Sequence, residues 1–124
     1  MSGISKLILV VDDTLFIRVL LRRTLEDMGY EVLEADDGDK AEKIILERRD
    51  SLDLVVCDYF MPEQDGLVTL EEIRKQGIQI PFLMLTGSMD QTDYKDLENT
   101  EIAGSLIKPV DLSDFSSMVE EILG

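Results

Sequence analysis

The chain alternates between short apolar runs and longer stretches in which apolar residues recur every three or four positions. The first run, KLILVV over Lys6–Val11, is β-branched and too short for a helix, which predicts a strand buried on both faces. The period then changes. Across Thr14–Met28, Ile17, Leu20, Leu21, Thr24 and Met28 share one helical face, and Gly29 supplies a stop. A second strand is expected over Glu31–Ala35, ended by Asp36-Asp37-Gly38, then a helix over Asp39–Arg49 with Ala41, Ile44 and Ile45 inward. A third strand over Leu52–Cys57 precedes a helix over Gly66–Gln76 that carries Leu67, Leu70 and Ile73 on one stripe and closes at Gly77. Pro81 opens a fourth strand, Phe82–Leu85. Ser105–Ile107 makes a fifth, and the last helix, Asp111–Leu123, turns Leu112, Phe115, Val119 and Ile122 to the core.

Between the last two strands, residues 90–100 suit a helix with a thin apolar stripe. The surrounding segment 88–101 holds five acids and one lysine around Tyr94 and Leu97, so a short or mobile helix is expected. Five alternations of strand and helix imply parallel strands, right-handed crossovers and helices on both faces of one sheet. The predicted fold class is α/β, a single three-layer doubly wound (βα)5 domain over residues 1–124, with no segment that reads as an output domain. Ligands in such sheets sit beyond the carboxyl ends of the strands. The residues there are Asp12-Asp13, Asp36-Asp37, Asp58, Thr86 and Lys108-Pro109.

Charge sharpens that set. The net charge of −15 disfavours nucleic acid and anionic membrane as partners, and no apolar run approaches a membrane span, so a cytoplasmic protein is expected. A single cysteine, Cys57, excludes an internal disulfide and reads as a small buried hydrophobe. Histidine is absent, so any imidazole chemistry must come from outside these residues. If the first and third strands are neighbours, Asp12, Asp13 and Asp58 converge. At about 5 Å and an effective dielectric near 20, each pair of carboxylates repels by roughly 3 kcal/mol. Protonation of one member or a hard divalent cation would relieve this, and Mg²⁺ suits carboxylates, a carbonyl, waters and a phosphate oxygen. Lys108 can add a fixed positive charge and Thr86 a hydroxyl donor. Such a set describes phosphate chemistry, with a carboxylate as nucleophile toward phosphorus. Taken alone, each residue has a plainer reading: Asp12 or Asp13 as a helix cap, Asp58 and Thr86 as turn residues, Lys108 as a solvated lysine.

The joint pattern resembles the receiver domain of two-component response regulators. The residues that carry the likeness are Asp12-Asp13, Asp58 with Met61-Pro62 and Asp65-Gly66, Thr86-Gly87, and Lys108-Pro109, in order and over essentially the whole chain. The resemblance implies a flavodoxin-like sheet of order 2-1-3-4-5. It implies that Asp58 is the phosphoryl acceptor and that Asp13, Asp58 and the Phe60 carbonyl bind Mg²⁺, with Asp12 acting through water. Lys108 would contact the phosphoryl group and Thr86 would close on it; the Lys108–Pro109 bond is expected to be cis. The donor would be a phosphohistidine on a sensor histidine kinase or a histidine phosphotransfer protein. The result would be a switch in binding to a downstream protein, or onward transfer, by a monomer or weak dimer.

Two departures from the pattern stand out. Ser105 occupies the place where receivers commonly carry Tyr or Phe, so the usual threonine–aromatic coupling needs another route. Phe60 is a bulky residue two after the acceptor, expected to hinder attacking water. On the first helix, Leu15 and Val19 fall opposite the core face with Arg22, which marks a docking surface for the donor. Two other classes compete. A Mg²⁺ phosphatase with an aspartyl-phosphate intermediate, as in haloacid-dehalogenase-like enzymes, would want an acid two residues after Asp12, where Thr14 stands. A flavin module would want phosphate-binding amides where Asp12-Asp13 would repel the phosphate.

Overall fold

The structure, a computed structural model, describes residues 5–61, 64–87 and 102–124. Its elements run β1 (Leu7–Val11), α1 (Leu15–Asp27), β2 (Glu31–Ala35), α2 (Gly38–Arg48), β3 (Leu52–Asp58), α3 (Gly66–Lys75), β4 (Phe82–Thr86), β5 (Gly104–Ile107) and α4 (Leu112–Leu123). The strands form one parallel sheet in the order β2-β1-β3-β4-β5. The helix expected over residues 90–100 and its expected mobility fall outside the described residues, as does Pro62.

Alternation along the strands builds a core on each face of the sheet. Ile8 and Val10 point to the side covered by α1 and α4, where they pack with Leu21, Leu25, Phe115 and Val119. Leu9 and Val11 point to the other side, with Ala41 and Ile45 of α2 and Leu70 and Ile73 of α3. Each fully buried aliphatic or aromatic side chain contributes about 1.5–3 kcal/mol, so the two layers account for most of the driving force. β3 contains one irregularity: Leu7 lies opposite Leu52, but Ile8 lies opposite Leu54. The skipped residue, Asp53, accepts a hydrogen bond from the Leu7 N–H at 2.8 Å. This bulge puts Leu52 on the same face as Val55 and Cys57 despite the odd spacing.

Helix ends follow local chemistry. Asp37, Asp65 and Asp111 cap α2, α3 and α4 by accepting from the N–H of Lys40, Val68 and Asp114. Gly29 and Gly77, just past α1 and α3, adopt φ of 96° and 80°, a conformation that costs glycine little and other residues more. The inward face of α1 is corrected in detail: Leu21 and Leu25 are its buried residues, while Ile17, Leu20, Thr24 and Met28 flank them at partial exposure. In α3 the buried set is Gly66, Thr69, Leu70 and Ile73, with Leu67 at the margin.

Candidate functional site

Sheet register brings the acids together. Val11 of β1 lies opposite Cys57 of β3, so the following residues, Asp12 and Asp58, reach the carboxyl edge side by side. Both are buried, and Asp13, one step further, is exposed. One carboxylate oxygen from each of Asp12, Asp13 and Asp58 lies within 4.8 Å of the other two. At the end of β5 the Lys108–Pro109 bond is cis. The Lys108 N–H donates to the Thr86 carbonyl at 2.7 Å. Its Nζ donates to Asp12 Oδ2 at 2.9 Å and to Asp58 Oδ2 at 3.0 Å. Thr86 is buried at the end of β4, one residue past Leu85, the register partner of Asp58.

One lysine against three carboxylates leaves the cluster negative. Burial is the main force on Asp58: it pushes the carboxyl up to about 6, Asp12 and Asp13 add to the rise, and Lys108 opposes it. For Lys108, burial acts to lower the pKa, but its bonds to Asp12 and Asp58 outweigh that, and the ammonium is held above its ordinary value. Cys57, behind Asp58, is fully buried, and burial first, then the charge of Asp58 and Asp12, pushes its thiol strongly up. Its Sγ donates to the Asp58 carbonyl at 3.5 Å. Cys57 is thus the small buried hydrophobe that its sequence context suggests, and the site's donors are hard oxygens. An all-oxygen set with surplus negative charge fits a divalent cation such as Mg²⁺.

Asp12 is held at four atoms. Its N–H donates to the Ala35 carbonyl at 3.1 Å, and its carbonyl accepts from Arg18 Nη1 at 2.7 Å. Oδ1 accepts from the Thr14 N–H at 2.8 Å, and Oδ2 takes Lys108. Asp36 and Asp37, also at a strand end, take other roles: Asp36 pairs with Lys40 at 2.8 Å, and Asp37 caps α2. Phe60 is half exposed and meets the buried Tyr59 ring edge-on, centroids 4.6 Å apart. Ser105 lies half-buried in β5 opposite Met84. Beneath Asp58, Gly66 opens α3, and a Cβ added there would lie 2.5 Å from the Asp58 carbonyl oxygen.

On α1, Leu15 is 63% exposed, Phe16 71%, and Val19 stands at the exposed margin. Helical periodicity picked out Leu15 and Val19; Phe16, the most exposed of the three, it did not. Arg22 is drawn to β2, where its Nη1 meets Glu34 Oε2 at 2.6 Å.

A family model for the response regulator receiver domain matches residues 8–120. The chain is 35% identical over 116 residues to the transcriptional regulatory protein ZraR of Escherichia coli O157:H7, covering 94% of this chain and 26% of that protein. It is 35% identical over 123 residues to the sensor kinase CckA of Brucella abortus, covering 99% of this chain and 13% of that one. To the alkaline phosphatase synthesis transcriptional regulatory protein PhoP of Bacillus subtilis it is 39% identical over 89 residues, 72% of this chain and 36% of the other. The chain thus spans well under half the length of these curated relatives. Among solved structures, the chemotaxis protein CheY4 of Vibrio cholerae superposes with a TM-score of 0.88 at 29% identity, over 97% of this chain and all of the other. A response regulator receiver domain protein of Clostridium thermocellum gives 0.86 at 30% identity, over 95% and 94%. The matched span takes in the five strands of the described residues, but for Leu7, and every strand end that bears the acids, the threonine and the lysine, and the chain belongs to the response regulator receiver domain family.

Proposed function

We propose that residues 1–124 form one phosphoacceptor receiver of a two-component or phosphorelay system, in which Asp58 takes a phosphoryl group from a phosphohistidine. The observation that carries this reading is the meeting of Asp12, Asp13 and Asp58 within 4.8 Å, with Lys108 bonded to two of them. In the transfer, an Asp58 carboxylate oxygen forms the new bond to phosphorus. The P–N bond of the donor breaks, and the departing imidazole keeps the electron pair. With its pKa near 6, Asp58 is mostly ionised at neutral pH and ready to attack. Lys108 Nζ, bonded to Asp58 Oδ2, would neutralise the arriving charge, and Thr86, at the end of β4 on the same sheet edge, would donate its hydroxyl once the group is attached. Asp13, Asp58 and the Phe60 carbonyl would hold Mg²⁺, supported by Asp12, and when bound the ion supplies positive charge against the phosphoryl oxygens.

The test is labelling by a small acyl phosphate. Wild type should take up one phosphoryl group on Asp58 in the presence of Mg²⁺ and none in EDTA, read by intact mass and peptide mapping. Labelling that persists in EDTA, or maps elsewhere, overturns the reading.

These residues contain no histidine, so the donor histidine lies outside them. Leu15, Phe16 and Val19 give that partner, a sensor histidine kinase or phosphotransfer protein, an apolar surface beside the acids. Leu15→Ser should slow transfer from a protein donor about tenfold and leave a small acyl phosphate unaffected; equal slowing of both would end the docking assignment. Phe60, half exposed and two residues after Asp58, is the side chain we assign to hindering attack by water. Phe60→Asn should quicken loss of the phosphoryl group by about tenfold, equivalent to roughly 1.4 kcal/mol of barrier, and an unchanged half-life would remove the shielding role. No helix among the described residues is long and apolar enough to cross a membrane.

A further inference from the structure

We infer that Arg18 is a positioning residue for the metal-side acids: by clamping the peptide between Asp12 and Asp13, it aims Asp13 at the site. This assignment rests on the receiver reading above and adds a residue to it. Arg18 lies in the first turns of α1, and its side chain is 14% exposed. Its Nη1 donates to the Asp12 carbonyl oxygen at 2.7 Å, and its Nε donates to Glu34 Oε1 at 3.2 Å. Glu34 sits on β2 and is held from its other oxygen by Arg22 at 2.6 Å. The guanidinium is therefore fixed from behind by a carboxylate that is itself fixed.

The oxygen that Arg18 holds belongs to the peptide joining the two acidic residues. A peptide unit is planar, so pinning its oxygen also sets the direction in which the Asp13 Cα leaves. The other bonds to Asp12, from Thr14, Lys108 and toward Ala35, act on its carboxylate and its N–H; that from Arg18 acts on the link to Asp13. Asp13 is exposed, and the cluster's 4.8 Å geometry depends on that link. Lysine can reach one acceptor with a point charge. Only the planar fork of arginine serves the carbonyl and Glu34 together.

The experiment measures Mg²⁺ affinity by calorimetry on the whole chain at near-neutral pH, with melting temperatures taken in EDTA. Arg18→Met should weaken Mg²⁺ binding about tenfold, as loss of a group that orients metal ligands commonly does. Arg18→Lys should recover part of that loss, and Glu34→Gln should weaken binding by a smaller factor. The melting temperature in EDTA should fall only slightly, because the clamp serves the acids and not the core. If Arg18→Met binds Mg²⁺ within about twofold of wild type, or if Arg18→Lys is no better than Arg18→Met, the assignment is overturned. Should Arg18→Met fail to fold, Glu34→Gln decides: weaker binding supports the clamp, and unchanged affinity overturns it. A wild-type chain that takes up no Mg²⁺ would instead sink the receiver reading itself.

Discussion

Asp58→Asn is expected to abolish phosphoryl uptake and, in EDTA at neutral pH, to raise the melting temperature by up to about 10 °C. The first effect follows from losing the carboxylate nucleophile, the second from the burial of its charge. Burial, assisted by Asp12 and Asp13, raises the Asp58 pKa from 3.8 to about 6 in the folded protein. A carboxyl whose folded pKa is raised binds its proton more tightly when folded. Its stabilising contribution is complete below about pH 3.8 and is lost as pH rises through about 6. At neutral pH the ionised side chain therefore costs about 3 kcal/mol, the free-energy equivalent of that shift. Asparagine keeps the shape and an oxygen that can still accept from Lys108, but carries no charge to desolvate. Its advantage should shrink as pH falls toward 4, and a gap between the two proteins that stays constant from neutral pH to about pH 5 would refute the raised pKa. Mg²⁺ should narrow the gap by stabilising wild type alone, by about 2.7 kcal/mol when the ion is at a hundred times its dissociation constant.

The second large effect concerns a residue with no functional group. Gly66→Ala is expected to destabilise the fold by about 3 kcal/mol and to reduce phosphoryl uptake with it. The added methyl would stand 2.5 Å from the Asp58 carbonyl oxygen and 3.2 Å from both Cys57 Sγ and Met84 Sδ. The first of these is backbone and cannot rotate away. Relief requires α3 or the end of β3 to move, yet the Gly66 N–H is tied to the Tyr59 carbonyl at 2.7 Å. Thermal unfolding of the variant in EDTA and in Mg²⁺ checks this, and a melting temperature equal to wild type would show that the approach is not limiting.

These two residues mark what could be read from sequence and what could not. That Asp12, Asp13 and Asp58 stand at strand ends was legible, because alternating strands and helices predict a parallel sheet, but that β1 and β3 are neighbours came from the family resemblance, and the register then brings the acids together. The limits of β2 were also legible, and the other elements differed by a residue or so at their ends, where caps and not periodicity decide. Asp36 and Asp37 looked equivalent to the other strand-end acids, but β2 is an edge strand, and there they find Lys40 and the α2 N-terminus instead. Phe16 escaped notice because a helix start exposes nearly every direction, so periodicity says little there. Arg18 escaped because a bond from a side chain to a distant carbonyl leaves no pattern in residue order. The buried Thr69 has the same cause: its hydroxyl donates to the Asp65 carbonyl at 3.2 Å and accepts from Gln64 Nε2 at 3.0 Å, contacts that only the packed helix creates.

Cys57 gives the molecule a built-in stopwatch. The chain's one sulfhydryl is sealed directly behind Asp58 and held in its un-ionised form. An alkylating reagent can reach it only when the centre of the sheet parts, so the rate of adduct formation counts how often β3 breathes.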